Sequence, residues 1–271
     1  MMLIERLLAL ATGAIVAICL GVGLVMMAFG PGRKDSADPP HARFLEASPT
    51  IDRAAARSQI EKVIAGAPEY RPFFDRLRSA FPGDYDSTLD AFATGGAGAD
   101  SVDFYLAEAV RRLRQARGIL AARAEPAALA RVFDLNLAVL RALAGEDKRL
   151  CAAFLYGGVD HDFHNFAARR RALVGEMATV GLEAIASGRT RNEERAAPSD
   201  EDFHALETAL IARGLGKAEI GSLLDGKTPD PPFDDEKTCA MGQTYLEALR
   251  GLEEPVRLRI WGLAVELMAR S

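Results

Sequence analysis

The segment from Leu7 to Phe29, LLALATGAIVAICLGVGLVMMAF, carries no charged side chain. About twenty apolar residues advancing roughly 1.5 Å each reach across a hydrocarbon core of about 30 Å, so this run predicts a transmembrane helix. Two other readings fit less well. A cleaved signal peptide needs a shorter apolar core and a small-x-small site, and the best candidate, Ala28-Phe29-Gly30, leaves Pro31 directly after the cut. A lipoprotein would use Cys19, but bulky Ile18 precedes it and the apolar chain continues well beyond it. An uncleaved anchor over residues 7–29, with residues 1–6 as a short tail, makes the bilayer the first expected partner.

The flanks speak weakly to orientation. Arg6 and the α-amino group precede the run, while Arg33, Lys34 and Arg43 follow it, a count that mildly favours a cytoplasmic C-terminal domain. The cysteines argue the other way. With Cys19 inside the anchor, Cys151 and Cys239 are the only thiols left, and an even number suits one disulfide in an oxidising compartment. Such a bridge closes a loop of about ninety residues, worth roughly 4 to 5 kcal/mol by chain entropy, whereas the alternative is two unrelated buried small side chains. Weighed together, these features lead us to expect a periplasmic rather than a cytoplasmic domain. The heavy use of Ala, and of Arg over Lys, suggests a bacterial chain from a GC-rich genome and hence an inner membrane.

Residues 30–49 hold several Pro, Asp and Ser and no sustained periodicity, the composition of a flexible tether. Over residues 50–271 the apolar spacing is helical almost everywhere, and no alternating run of β-branched residues appears. The expected fold is all-α, a bundle-like domain of about ten helices. Helices are expected over Ile51 to Ala65, Glu69 to Ala80, Asp84 to Ala93, Ser101 to about Ala122, Pro126 to Leu143, and Asp147 to Tyr156. Others follow over Asp160 to about Ser187, Ser199 to Arg213, Lys217 to Leu224, Asp234 to Arg250, and Glu254 to Ala269. Ser101, Ser199 and Asp234 read as N-caps, and Pro126 and Pro255 sit naturally in first turns. The Arg-, Glu- and Pro-containing stretch 188–198 reads as an internal linker and the one candidate subdivision. Trp261, the only tryptophan, reads as a core anchor.

A net charge of −5 speaks against nucleic-acid binding, which demands clustered excess positive charge. The basic runs Arg111-Arg112-Leu113-Arg114 with Arg117, and Arg169-Arg170-Arg171, read as solvated helix faces with acids nearby. Metal chemistry would have to use the strings Asp160-His161-Asp162-Phe163-His164 and Asp200-Glu201-Asp202-Phe203-His204, which hold three of the four histidines. Asp160, His161 and His164 fall within one helical arc, and Glu201 and His204 share a face three residues apart. A single Glu-x-x-His is half of what a carboxylate-bridged di-iron bundle uses. Caps and surface polar groups explain the same residues. His161-Asp162 invites comparison with helical phosphohydrolases bearing an HD dyad, but the only upstream histidine is His41 in the tether. The chain has no G-x-S-x-G, H-E-x-x-H, C-x-x-C or C-x-x-C-H string, and no cofactor is expected.

The leading functional expectation is therefore a membrane-anchored, noncatalytic helical module that acts on a protein partner. One alternative is a metal-dependent enzyme built on Asp160, His161 and His164, with Glu201 and His204. Another is a small-ligand binding domain, which would require an apolar concave pocket with a few convergent polar groups.

Overall fold

The computed structural model describes residues 53–94, 101–155 and 161–270. The anchor segment 7–29, the tether 30–49 and Cys19 lie outside the described residues. Among those described, every regular element is helical, and no helix is long and apolar enough to cross a membrane.

Twelve α-helices follow one another. They are α1 (Arg53–Ala65), α2 (Arg71–Ala80), α3 (Pro82–Thr94), α4 (Val102–Arg117), α5 (Pro126–Glu146) and α6 (Lys148–Leu155). The chain continues with α7 (His161–Arg169), α8 (Arg171–Arg191), α9 (Asp200–Ala212), α10 (Lys217–Asp225), α11 (Asp235–Arg250) and α12 (Glu254–Arg270). A 3-10 turn, Gly118–Arg123, joins α4 to α5.

The starts follow local chemistry. Ser101 accepts the amide of Phe104 at 3.3 Å, and Asp234 accepts that of Lys237 at 2.7 Å. Ser199 and Asp202 form a reciprocal capping box at 2.9 and 3.3 Å, each satisfying one amide that the first turn leaves free. Asp202 also takes a bidentate pair from Arg259, which ties the start of α9 to α12.

Two expected helices differ from those observed. The helix from Ser101 ends at Arg117 and tightens into the 3-10 turn, so that Leu120 comes against α8. A Cβ on Gly188 would stand 1.7 Å from the Leu120 carbonyl oxygen, so only glycine lets the two backbones approach this closely. The long helix expected from Asp160 is broken at Arg170 (φ −122°, ψ 35°) into α7 and α8. The break lets three consecutive arginines engage two helices. Arg169 and Arg170 donate to Glu146 on α5, at 2.8 and 3.0 Å, while Arg171 turns to Asp103 on α4.

The stretch 188–198 is partly helical, since α8 runs on to Arg191 before Asn192 ends it in the left-handed conformation. Its remainder is tied to the 3-10 turn: the Glu193 amide donates to Arg123, and Arg195 donates to the carbonyls of Ala122 and Ala124 at 3.0 and 2.5 Å.

One apolar core runs from Ile60 to Met268. Trp261 is 2 % exposed and stacks on Phe133, with centroids 4.7 Å apart and planes 9° from parallel. Cys151 on α6 and Cys239 on α11 are joined by a disulfide, their Cα atoms 5.4 Å apart across a sequence separation of 88. Both are buried. The same helix pair meets closely beside the bridge, where a Cβ on Gly242 would lie 2.3 Å from a Leu155 methyl.

Candidate functional site

A cavity of about 360 Å³ runs between α4, α8 and α12 and is closed partly by α7 and by Tyr70 and Phe73 near and in α2. Its shape follows from the residues of α4. Asp103, Leu106, Ala107, Val110, Leu113 and Arg114 recur at three- and four-residue spacing and line one side. Opposite them α8 presents Ala178, Gly181, Leu182, Ala184 and Ile185. Val174 and Met177 also line this side, so three of its seven residues are Ala or Gly, and a Cβ on Gly181 would meet no atom within 4 Å. Around Ala178, Gly181 and Ala184 the side chains are too short to fill the space between the two helices.

The two ends of the cavity are polar and unlike each other. At one end Arg171 donates to both Asp103 oxygens, from Nε at 2.9 Å and Nη2 at 2.6 Å, and the Tyr70 hydroxyl donates at 2.5 Å to the same carboxylate. Burial alone would raise the Asp103 carboxyl, but the Arg171 pair and the Tyr70 hydroxyl outweigh it and hold it below the usual carboxylate range. Burial first, and the neighbouring carboxylate second, push the Tyr70 phenol up. This end is closed by mutual pairing, although exposed Ser101, Asn165 and Ala168 put it close to solvent.

At the other end stands Arg114. Its stem lies where a Cβ on Gly118 would be 3.1 Å from both Arg114 Cγ and Ala269 Cβ, and buried Leu113, Ala121 and Met268 complete the wall. Arg114 Nη1 is buried and has no hydrogen-bond partner among the described residues. Burial, and then the nearby Arg111 charge, lower its pKa, and no acid opposes them. Its neighbours in the run behave otherwise. Arg111 and Arg112 both pair with Glu108, and Arg117 pairs with Asp84. The basic run read as one solvated face is thus three surface ion pairs and one guanidinium at an apolar cavity. The signal was present in the spacing, because Arg114 falls on the stripe of Leu106, Ala107 and Val110.

The metal candidates are placed apart from such a centre. Asp160 lies outside the described residues, and of His161 only the backbone at the start of α7 is described. His164 lines the same cavity as Asp103. Glu201 and His204 lie on α9, where His204 is exposed and stands 3.8 Å from Glu207. His204 belongs to a second groove, of about 1100 Å³, between α9 and α10, with Phe203, Ile211 and Leu224. Among the described residues no three His, Cys, Asp or Glu side chains are grouped so that they could hold a metal ion.

Chemically, the cavity can take up apolar material and offer one cation to it. No family model matches the chain, and neither the curated proteins nor the solved structures contain a match to it.

Proposed function

We propose that this chain is a membrane-tethered ligand-binding domain that holds a small apolar molecule between α4, α8 and α12. The observation that carries the reading is the cavity itself: a volume within the range of ligand pockets, mostly apolar walls, and a few convergent polar groups at its ends. The reading takes the place of the expected protein-interaction module because the partly open cavity leaves apolar wall side chains without neighbours on one side, contacts that a bound apolar molecule would supply.

The tether belongs to the same reading. A bacterial inner-membrane anchor over residues 7–29 would keep the domain within reach of lipid-borne molecules, which are scarce in free solution. The Cys151–Cys239 bridge supports placing the domain on the oxidising, periplasmic face.

Two experiments test the proposal. The full-length chain in lipid nanodiscs is expected to bind 1-dodecanol above the background of empty discs, and Gly181→Leu, which fills open space at the cavity wall, is expected to abolish that binding. Wild-type protein indistinguishable from empty discs would sink the ligand-binding reading. A reporter fused after Ser271 is expected to be active only as a periplasmic reporter, and a cytoplasmic signal would overturn the placement.

A further inference from the structure

Arg114 differs from every other arginine of its helix. Arg111, Arg112 and Arg117 have acid partners, while Arg114 Nη1 is buried at a cavity wall and has no acceptor among the described residues. A guanidinium removed from water without a counter-charge is costly, and a planar fork of donors matches a carboxylate. At the opposite end the Arg171 guanidinium is already committed to Asp103, which also takes the Tyr70 hydroxyl, so that guanidinium is not free to seat an acidic group.

The spacing between these ends sets a length. Eleven residues of helix separate Asp103 from Arg114, roughly 16 Å at 1.5 Å per residue. That is about half of the roughly 30 Å hydrocarbon core of a bilayer, the reach of one acyl chain. The volume of about 360 Å³ is near the lower limit of ligand pockets, which suits one chain better than two. The single unpaired cation suits a monoanion better than a phosphate ester carrying two charges.

We infer that the cavity binds a single-chain fatty carboxylate, its head on Arg114 and its chain running along α4 towards Tyr70 and Phe73. The inference rests on the ligand-binding reading above and adds to it the class and polarity of the ligand. Arg114 is then a specificity-determining residue: the apolar walls accept any chain, and the guanidinium selects the acid.

The test compares dodecanoic acid with 1-dodecanol on the full-length chain in nanodiscs, with the partition into empty discs subtracted. Wild-type protein is expected to favour the acid by about ten- to a hundredfold, the worth of a charge-assisted hydrogen-bonded contact. Arg114→Met, which keeps the stem and removes the charge, is expected to erase that preference while alcohol binding persists, which shows that the fold is intact. Arg114→Lys is expected to retain part of the preference. The carbon-13 signal of carboxyl-labelled dodecanoic acid should report an acid that stays ionised to lower pH on wild-type protein than on Arg114→Met. Equal binding of acid and alcohol by wild-type protein, or unchanged acid binding by Arg114→Met, overturns the inference and leaves the ligand-binding reading standing. Failure of both probes to bind overturns the reading and the inference with it.

Discussion

The side of the bundle built on α5, α6 and α11 and the side built on α4 and the middle of α8 solve the same packing problem in opposite ways. Where α11 meets α6, Gly242 brings the backbone so close that a single added carbon would strike a Leu155 methyl at 2.3 Å, and a disulfide locks the contact. In the middle of α8, Gly181 faces open space, and its neighbours Ala178 and Ala184 leave that space unfilled. The same residue type thus marks close approach in one region and a void in the other. Composition does not distinguish them. What distinguishes them is whether a second element lies opposite at contact distance.

The contrast can be broken in four places. Replacing Cys151 and Cys239 together by Ser releases a loop whose ends are 88 residues apart and is expected to cost about 4 kcal/mol in denaturant unfolding. A loss below about 1 kcal/mol would mean that the packed side does not depend on its bridge. Gly242→Ala should cost about 2 kcal/mol by overpacking against the buried Leu155, measured in the same way.

Asp103→Asn should cost about 2 kcal/mol at neutral pH, since it weakens charge-assisted bonds to Arg171 and Tyr70. The pH dependence has a definite sign. The folded Asp103 and Asp202 carboxyls lie below their ordinary range, the first against burial through Arg171 and Tyr70, the second through Arg259. Their contribution is therefore present above the unfolded carboxyl value of about 3.9 and is lost as pH falls through the lower folded values. The gap between wild type and Asp103→Asn should close in acid, and a gap that widened there would contradict the assignment. The smallest effect has the opposite direction. Gly181→Ala is expected to stabilise by about 0.5 to 1 kcal/mol, because it gains helix propensity and meets no neighbour. A destabilised Gly181→Ala would mean that the middle of α8 is packed after all.

The parts legible in the sequence are those governed by short-range chemistry. Ser101, Ser199 and Asp234 announced helix starts because a cap needs only an oxygen within three residues of a free amide, and Trp261 is the core anchor that its size suggested. Other features were not legible because they depend on distant partners. The break at Arg170 has no Gly or Pro to mark it and answers to Glu146 and Asp103, which lie far away in the chain. The spacing puts Arg114 on the apolar stripe of α4, but that the stripe borders a cavity depends on α8 and α12. The cavity is a deficit of side-chain volume between helices, and no single residue encodes a deficit.

The Cys151–Cys239 bond also turns the chain into a closed ring with two tails. Inside the ring lie α7, α8, α9 and α10; outside it lie α4 and α12, the other two walls of the cavity. A pull on the two ends would travel through the sulfur bridge and bypass the ring entirely. A single peptide-bond cut between α8 and α9 would leave one covalent molecule, which separates into two fragments only when a reductant is added.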